Sequence, residues 1–106
     1  MKFEIGIGLT TCSSVKTGKA LVQRLLQKRY IACGQIEKEI ESYYYWNGKK
    51  EVSQEVRVVV KFRLGNEHAI EKLFHDEHEY ETPQWVYWKA NGSKGYTSWV
   101  NNLERT

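Results

Sequence analysis

The sequence predicts an α+β protein in which helices cover one face of an antiparallel sheet. Hydrophobic periods of two and of about 3.6 residues alternate along the chain, Asn47-Gly48 marks a tight hairpin near its middle, and a short amphipathic stretch follows the last strand pattern. The resulting order, β-α-β-β-α-β plus a short C-terminal helix, is the split βαβ sandwich, also called ferredoxin-like. We expect a single domain over residues 1–106, since a chain of 106 residues leaves no room for a second.

The first strand and the first helix have clear patterns. Apolar side chains alternate along strand one at Phe3, Ile5, Ile7 and Leu9. Gly6 and Gly8 leave its other face nearly bare, so another element can approach closely. Helix one follows a turn in which Ser13 or Ser14 can serve as the N-cap. Its apolar residues recur at helical spacing: Val15, Gly18, Leu21, Val22, Leu25 and Leu26.

The middle of the chain predicts a long hairpin. Ala32 to Trp46 forms one strand that ends in aromatic residues, and Asn47-Gly48 supplies the two turn positions. The return strand runs from Lys50 to Phe62. Its apolar face carries Val56, Val58, Val60 and Phe62.

The last third predicts a second helix, a fourth strand and a closing helix. Asn66 is a plausible cap for helix two. The apolar stripe of that helix consists of Ile70, Leu73 and Phe74. Strand four is expected from Gln84 to Lys89, after Pro83. The closing helix is indicated by Tyr96, Trp99, Val100 and Leu103.

The predicted hairpin is longer than the domain that carries it. A strand from Lys50 to Phe62 is roughly 43 Å long at about 3.3 Å per residue, whereas a globule of this size is roughly 33 Å across. About 10 Å of ribbon would extend beyond the sheet with exposed aromatic side chains, which need a pairing partner. We expect copies of the chain to pair around a closed ring; a bulge or bend near Ser42 that folds the ribbon back is the alternative. The predicted subunit contacts are Tyr43, Tyr44, Tyr45 and Trp46, joined by Trp85, Tyr87 and Trp88.

Composition and charge limit the classes of function. A hydrophobic content of 41% and a charged content of 27% describe a globular protein. No apolar stretch approaches the roughly 20 residues that span a bilayer, and two cysteines cannot make a disulfide framework. We therefore expect a cytoplasmic protein that binds no membrane. The net charge of +3 is too small to indicate nucleic acid.

The charges are unevenly distributed. Residues 14–29 contain five basic residues and no acid, whereas residues 67–81 contain six acids and one lysine. Two solvated helix faces would explain this distribution, and so would complementary contact between subunits.

The run from His78 to Gln84 is the first candidate site. Pro83, the single proline, makes the chain extended near Thr82 and holds polar side chains on one constrained connection. His75 and His78 would share a face if helix two continued through both. With nearby carboxylates they suit a divalent metal ion such as copper or zinc. A solvated helix end is the alternative.

The cysteines and the first turn offer further candidates. Cys33 stands at the start of a strand, where a cysteine is usually a core residue. Either Cys33 or Cys12 would add a soft metal ligand if the fold brought it near the histidines. A helix N-terminus could lower the pKa of Cys12, and a packed turn residue is the alternative. If a small anion binds, the backbone amides of Cys12 to Ser14, with Lys16, form its natural cradle.

Taken together, several fragments resemble the CutA family of divalent-cation tolerance proteins. They are Leu9-Thr10-Thr11-Cys12, Ile31-Ala32-Cys33, Tyr45-Trp46-Asn47-Gly48-Lys49, Glu55 to Lys61, and His78-Glu79-Tyr80-Glu81-Thr82-Pro83-Gln84. Two positions depart from the family pattern. Glu79 stands where the family usually has proline, and Gly34-Gln35 replaces its common Val-Asn.

The resemblance implies a homotrimer of ferredoxin-like subunits, similar in architecture to the PII signalling proteins. It also implies a non-enzymatic binding or regulatory role in tolerance of copper and other divalent cations. Lys61, Tyr80 and Glu81 match polar residues of the family's cleft, and a surface pair on the sheet rim is the alternative. The candidate site for a metal or small ligand is therefore His78, Glu81, Tyr80, His75, Cys33 and Lys61.

Two other functions are compatible with the same fold. An acylphosphatase-like enzyme would need an arginine or a glycine-rich cradle at the first loop, and residues 10–15 contain neither. An RNA-recognition module would need stacking aromatic residues on the two central strands, whereas they cluster here at the hairpin tip and in strand four. We therefore expect neither catalysis nor a nucleic-acid partner.

Overall fold

The computed structural model describes residues 3–102. Its elements are β1 (Glu4–Cys12), α1 (Val15–Gln27), β2 (Cys33–Trp46), β3 (Lys49–Phe62), α2 (Glu67–Glu77), β4 (Val86–Asn91) and α3 (Lys94–Asn101). The four strands form one sheet in the order β2-β3-β1-β4, and every neighbouring pair is antiparallel. The predicted ferredoxin-like class is thus confirmed. The predicted helical residue Leu103 lies outside the described residues.

The core lies between the sheet and the two longer helices. Val58, Val60 and Phe62 on β3 are fully buried, and they pack in one cluster with residues of α1 and α2. Gly6 and Gly8 face this side of the sheet. A Cβ atom on Gly6 would overlap the Phe62 ring, and one on Gly8 would overlap the Trp85 ring. The close approach predicted at these glycines is confirmed, because the aromatic rings fill the space that a Cβ would need.

Strand β4 begins two residues later than predicted because Trp85 turns into the core. Its ring centroid lies 5.2 Å from that of Phe74 and 5.9 Å from that of Phe62. Trp85 was expected at a subunit contact, and its position is instead part of the hydrophobic packing within the chain. The pattern of Trp and Tyr did not reveal which ring faces inward.

The cap of α2 differs from the prediction. Asn66 precedes the helix, but its side chain makes no capping hydrogen bond. Its amide instead donates to the backbone carbonyl of Tyr30 over 3.0 Å. Asn66 therefore ties the start of α2 to the end of the α1–β2 connection.

The third helix covers part of the opposite sheet face. Lys61 alternates with the core residues Val60 and Phe62, so it points away from α1 and α2, and its Nζ lies 5.7 Å from the centre of the Tyr96 ring on α3. Ile5 and Val100 are buried. In the described part of the chain, no helix combines the length and apolar character needed to cross a membrane.

The long hairpin extends beyond the sheet. Pairing continues to Trp46 opposite Lys49, whereas β1 pairs with β3 only from Val56 onward. We call residues 40–55 the arm. A β-bulge interrupts the pairing between Glu37 and Ile40, and Glu39 has φ 60°. This irregularity lies before Ser42 and does not fold the arm back, because the described chain measures 48 × 24 × 23 Å.

Candidate functional site

Polar side chains converge where β1 ends, α1 begins and α2 ends. Ser14 is the N-cap of α1: its hydroxyl accepts from the backbone N–H of Thr17, and the Thr17 hydroxyl accepts from the N–H of Ser14, both over 3.2 Å. This reciprocal capping box fixes the first turn of the helix and confirms the predicted cap.

His78 is the centre of this cluster. Helix α2 ends at Glu77, and His78 is extended with ψ 144°. The backbone N–H of Tyr80 donates to His78 Nδ1 over 3.0 Å. Nδ1 is therefore the unprotonated nitrogen, and Nε2 donates to the carbonyl oxygen of Thr11, also over 3.0 Å.

The surroundings of His78 keep its ring neutral. Burial lowers the pKa of His78, and this effect outweighs the Thr11 carbonyl and the carboxylates of Glu79 and Glu55, which favour the charged form. Both ring nitrogens are occupied by groups of the chain itself. The imidazole therefore acts as a structural bridge between β1 and residues 78–80.

Tyr80 connects the cluster to the arm. Its hydroxyl donates to Oε2 of Glu55 over 2.6 Å. This hydrogen bond joins the segment after α2 to the base of the arm, where Glu55 lies on β3. Burial raises the pKa of Tyr80 well above its ordinary range, and the hydrogen bond and negative charge of Glu55 act in the same direction. The phenol therefore stays protonated and donates its proton to the carboxylate.

Glu79 anchors the same segment on the first turn. Its carboxylate accepts from the Ser13 backbone N–H over 2.8 Å and from the Ser13 hydroxyl over 2.6 Å. Burial disfavours the charged form, but the Ser13 hydrogen bonds, helped by Thr17 and His78, lower the pKa of Glu79. The Ser13 backbone N–H, which was predicted to be part of an anion cradle, therefore already donates to the Glu79 carboxylate. Lys16 lies elsewhere, in a depression along α1 with Lys19.

Cys12 is a packed turn residue. Its side chain is buried, and burial, followed by the negative charge of Glu79, raises its pKa to about 11. The predicted lowering by the helix N-terminus is outweighed by these two effects. Cys12 is therefore a thiol at neutral pH and not an activated nucleophile.

The other metal-type candidates do not join His78. His75 is exposed on α2 and lines a separate depression of about 300 Å³ with Pro83 and Trp85. Glu81 is exposed as well. The proposed clamp of His75 and His78 required a continuous helix, and α2 ends before His78. Within residues 3–102, no three His, Cys, Asp or Glu side chains come together in a way that could hold a metal ion.

Cys33 and Lys61 are close to each other but distant from the cluster. They are opposite one another on β2 and β3, so their side chains share the sheet face that Lys61 presents to α3. His78 contacts the end of β1 and packs edge-on against the core ring of Phe74 at 5.6 Å. The six predicted site residues therefore divide between at least three places on the subunit.

The oppositely charged segments meet within the chain. Nε of Arg24 on α1 lies 2.9 Å from Oε1 of Glu77 at the end of α2. This pair borders a cavity of about 320 Å³ that also reaches Cys12, His78 and Glu79. At this pair the charge complementarity is satisfied without a second subunit.

A larger groove runs between the arm and residues 80–84. Its volume is about 720 Å³. It is lined by Thr11, Ser13, Ser42, Tyr44, Trp46, Ser53, Gln54, Glu55, Tyr80, Thr82, Pro83 and Gln84. Tyr80, predicted as a site residue, and Tyr44 and Trp46, predicted as subunit contacts, line this groove together. Glu55 was missed as a site residue, because only the strand register places it beyond the end of β1, next to Tyr80.

The fold and this site define a class of protein: a ferredoxin-like α+β domain with a projecting β-ribbon and an open groove at the ribbon's base. The family model for the CutA1 divalent ion tolerance protein matches residues 7–103. The chain therefore belongs to the CutA1 divalent ion tolerance family.

Individual relatives agree with this assignment. The chain is 28% identical over 99 residues to the divalent-cation tolerance protein CutA of Citrobacter koseri, covering 92% of this chain and 86% of the relative. The crystal structure of CutA1 from Oryza sativa superposes with a TM-score of 0.90 at 25% identity, covering 96% of this chain and 94% of the other. The structure of the periplasmic CutA from Archaeoglobus fulgidus gives 0.89 at 26% identity, with coverages of 93% and 97%.

Proposed function

We propose that the chain acts as a homotrimeric binding or regulatory protein in tolerance to divalent cations, with its ligand sites in crevices between copies. The observation that supports this assembly is the arm. Along residues 49–55, β3 pairs only with β2. The arm exposes 71% of Tyr43, 72% of Tyr45 and 59% of Val52. Side chains of this kind on an open edge favour association.

The geometry of the arm favours a ring over a two-fold dimer. Strand β2 is at the edge of the sheet, and β3 has a free edge along residues 49–55, so the arm carries two different unpaired edges. Pairing the β2 edge of one copy with the β3 edge of the next is a heterologous contact. The smallest closed ring that such a contact can form has three members, in agreement with the trimer that the family resemblance implies.

The crevices of the ring are the proposed ligand sites. The groove at the base of the arm would form one wall, with Tyr80 and Glu55 as its polar centre. Because the metal-type side chains of residues 3–102 form no group of three in a single subunit, a copper or zinc site would need donors from more than one copy. Of the six predicted site residues, His75 and Glu81 are the exposed ones, whereas both nitrogens of His78 are hydrogen-bonded.

A binding role is better supported than the acylphosphatase-like alternative. The relatives are named divalent-cation tolerance proteins, and no enzyme activity is part of those names. Within the chain, Glu79 occupies the Ser13 amide where a phosphoryl group would have to bind. The cytoplasmic location is also part of the proposal; the Archaeoglobus fulgidus relative is named periplasmic.

Light scattering coupled to size-exclusion chromatography tests the assembly. At micromolar concentration we expect about three times the chain mass of 12.5 kDa; a monomer would refute the ring. Titration calorimetry with Cu(II) and Zn(II) tests the metal sites. His75→Ala with Glu81→Ala should weaken cation binding, whereas His68→Ala, on the same helix and exposed, should leave it unchanged. Equal affinity in all variants would clear these donors.

A further inference from the structure

We propose that the groove between the arm and residues 80–84 binds a small organic cation that carries an aromatic ring, because the Glu55 carboxylate and the Tyr44 ring line it together and its described lining carries no positive charge. This inference rests on the proposed function, in which the groove is one wall of the crevice between copies. It adds the chemical class of the ligand.

The charge of the groove lining favours a cationic ligand. Glu55 is the only lining residue with a formal charge, and the described lining contains no Lys, Arg or His. The Tyr80 hydroxyl occupies Oε2 of Glu55, and Oε1 accepts no hydrogen bond from the described residues. Arg57, two positions along β3, pairs with Glu37 over 3.2 Å. A half-buried carboxylate with one free oxygen favours a cation and repels an anion.

The aromatic rings of the groove present faces that attract cations. Tyr44 and Trp46 expose 41% and 45% of their surfaces. The Tyr44 hydroxyl lies 2.6 Å from Oγ of Ser53, so this ring is held in place by the opposite strand. Cations are attracted to the faces of Trp and Tyr rings, and an aromatic ligand adds ring stacking.

The volume of the groove fits a small organic molecule. About 720 Å³ lies within the range of roughly 300 to 1,000 Å³ that is typical of pockets for small organic molecules. A single inorganic cation fills a small part of such a volume, and the lining offers it one carboxylate. Several hydroxyl and amide groups remain to orient polar substituents of a larger ligand. The groove therefore fits an organic cation better than a metal ion.

Titration calorimetry of the full chain with benzyltrimethylammonium tests the proposal. We expect saturable binding of this cation and none of benzoate, which has a similar ring and the opposite charge. Glu55→Gln should weaken cation binding about tenfold or more, in line with loss of a charge contact worth about one order of magnitude. Glu41→Gln is the matched control, because Glu41 is exposed on the same arm and strand alternation puts its side chain on the face opposite to Ser42 and Tyr44.

A second pair of variants guards against misfolding of Glu55→Gln. Tyr44→Leu should weaken binding of the cation, whereas Tyr87→Leu, at the same 41% exposure on β4, should not. Equal binding of benzoate, absence of cation binding, or unchanged affinity in both groove variants would overturn the proposal. If a neighbouring copy of the chain fills the groove, the cation will not bind, and that result would also overturn the proposal.

Light scattering on the same samples separates the two proposals. A monomer that binds benzyltrimethylammonium with the expected dependence on Glu55 supports the ligand class and refutes the ring. A trimer that does not bind it leaves the assembly intact and refutes the ligand class.

Discussion

The carboxylate of Glu79 accepts both the backbone N–H and the hydroxyl of Ser13, at 2.8 and 2.6 Å. These two residues are 66 positions apart in the sequence, and their contact fastens the segment after α2 to the start of α1. The family resemblance leads one to expect a proline at position 79. In this chain, two hydrogen bonds that the Glu79 carboxylate accepts from Ser13 anchor the segment, whereas a proline ring would restrict the backbone there directly.

Replacing Glu79 by alanine should lower the free energy of unfolding by about 1 kcal/mol, because two hydrogen bonds to an exposed carboxylate are lost. Chemical denaturation at pH 7 measures this change. Glu81→Ala is the control, since Glu81 is exposed two residues away and is expected to have little effect. A larger loss for Glu81→Ala would contradict the anchoring role of Glu79.

The contribution of Glu79 should depend on pH. Its pKa is lower in the folded protein than the ordinary value of 4.5, so the stabilisation is complete above that value and is lost as the pH falls through the folded-state pKa. The stability difference between the parent and Glu79→Ala should therefore shrink on acidification below pH 4.5. A difference that stays constant in this range would rule out the ionised anchor.

His78 should titrate below its ordinary pKa of 6.5, because burial outweighs the groups that favour its charged form. A base whose pKa is lowered on folding contributes stability that is present above 6.5 and lost as the pH falls through the folded-state value. The measurement is an NMR titration of the ring protons of His78, assigned with His78→Gln. A midpoint at or above 6.5 would contradict the conclusion that burial of this ring outweighs the Thr11 carbonyl and the nearby carboxylates.

Cys12 should resist thiol reagents in the native protein. The test uses Cys33→Ser, which leaves Cys12 as the only cysteine. With a pKa of about 11 and a buried side chain, Cys12 should react with a disulfide reagent at pH 8 only after unfolding in guanidinium. Rapid labelling without denaturant would show that the first turn opens or that the thiol is not buried.

Gly34→Ala should destabilise the protein by about 1 to 3 kcal/mol, the usual cost of overpacking. A Cβ at position 34 would lie 2.7 Å from a methyl carbon of Val22 on α1. Adding Val22→Ala should recover part of this loss, so the double variant should be more stable than the sum of the single effects predicts. Gly95→Ala is the control, because its Cβ would meet nothing within 4 Å. Additive effects at 34 and 22 would contradict the contact.

Replacing Tyr43 and Tyr45 together by serine should shift the chain from the proposed trimer toward monomer while the fold is retained. Both side chains are largely exposed in the single chain, so their removal costs the subunit little but removes apolar surface from the proposed contact. Light scattering and far-UV circular dichroism measure the two effects. The control is Lys16→Ser with Lys19→Ser on α1. A trimer that persists at micromolar concentration would exclude these tyrosines from the interface.

Most of the fold could be predicted because its signals are local. The N-cap at Ser13 or Ser14, the turn at Asn47-Gly48 and the alternation from Val56 to Phe62 depend on neighbours a few residues away. The exceptions involve distant partners. Trp85 precedes β4 and packs against Phe62 and Phe74. The Asn66 side chain donates to the backbone carbonyl of Tyr30 and does not cap α2.

The candidate site could be predicted only in part. His78 and Tyr80 were identified from the residues before Pro83, but their roles depend on Thr11 and Glu55, which are 67 and 25 positions away. Lys61 was placed in the same site by resemblance and Cys33 as a soft metal ligand, whereas the pleat of β3 turns Lys61, with Cys33 opposite it on β2, to the other face of the sheet. Alternation identifies the two faces of a strand, but not what covers each of them.

The amino-acid sequence alone determined the order of the elements, the long ribbon and the family, since these follow from periodicity, turn chemistry and motif spacing. The tertiary structure decided which polar groups meet: Glu79 with Ser13, Tyr80 with Glu55, and His78 with Thr11. The physical reason is that hydrogen bonds act over about 3 Å, and only the sheet register and helix packing bring residues so distant in the chain within that range.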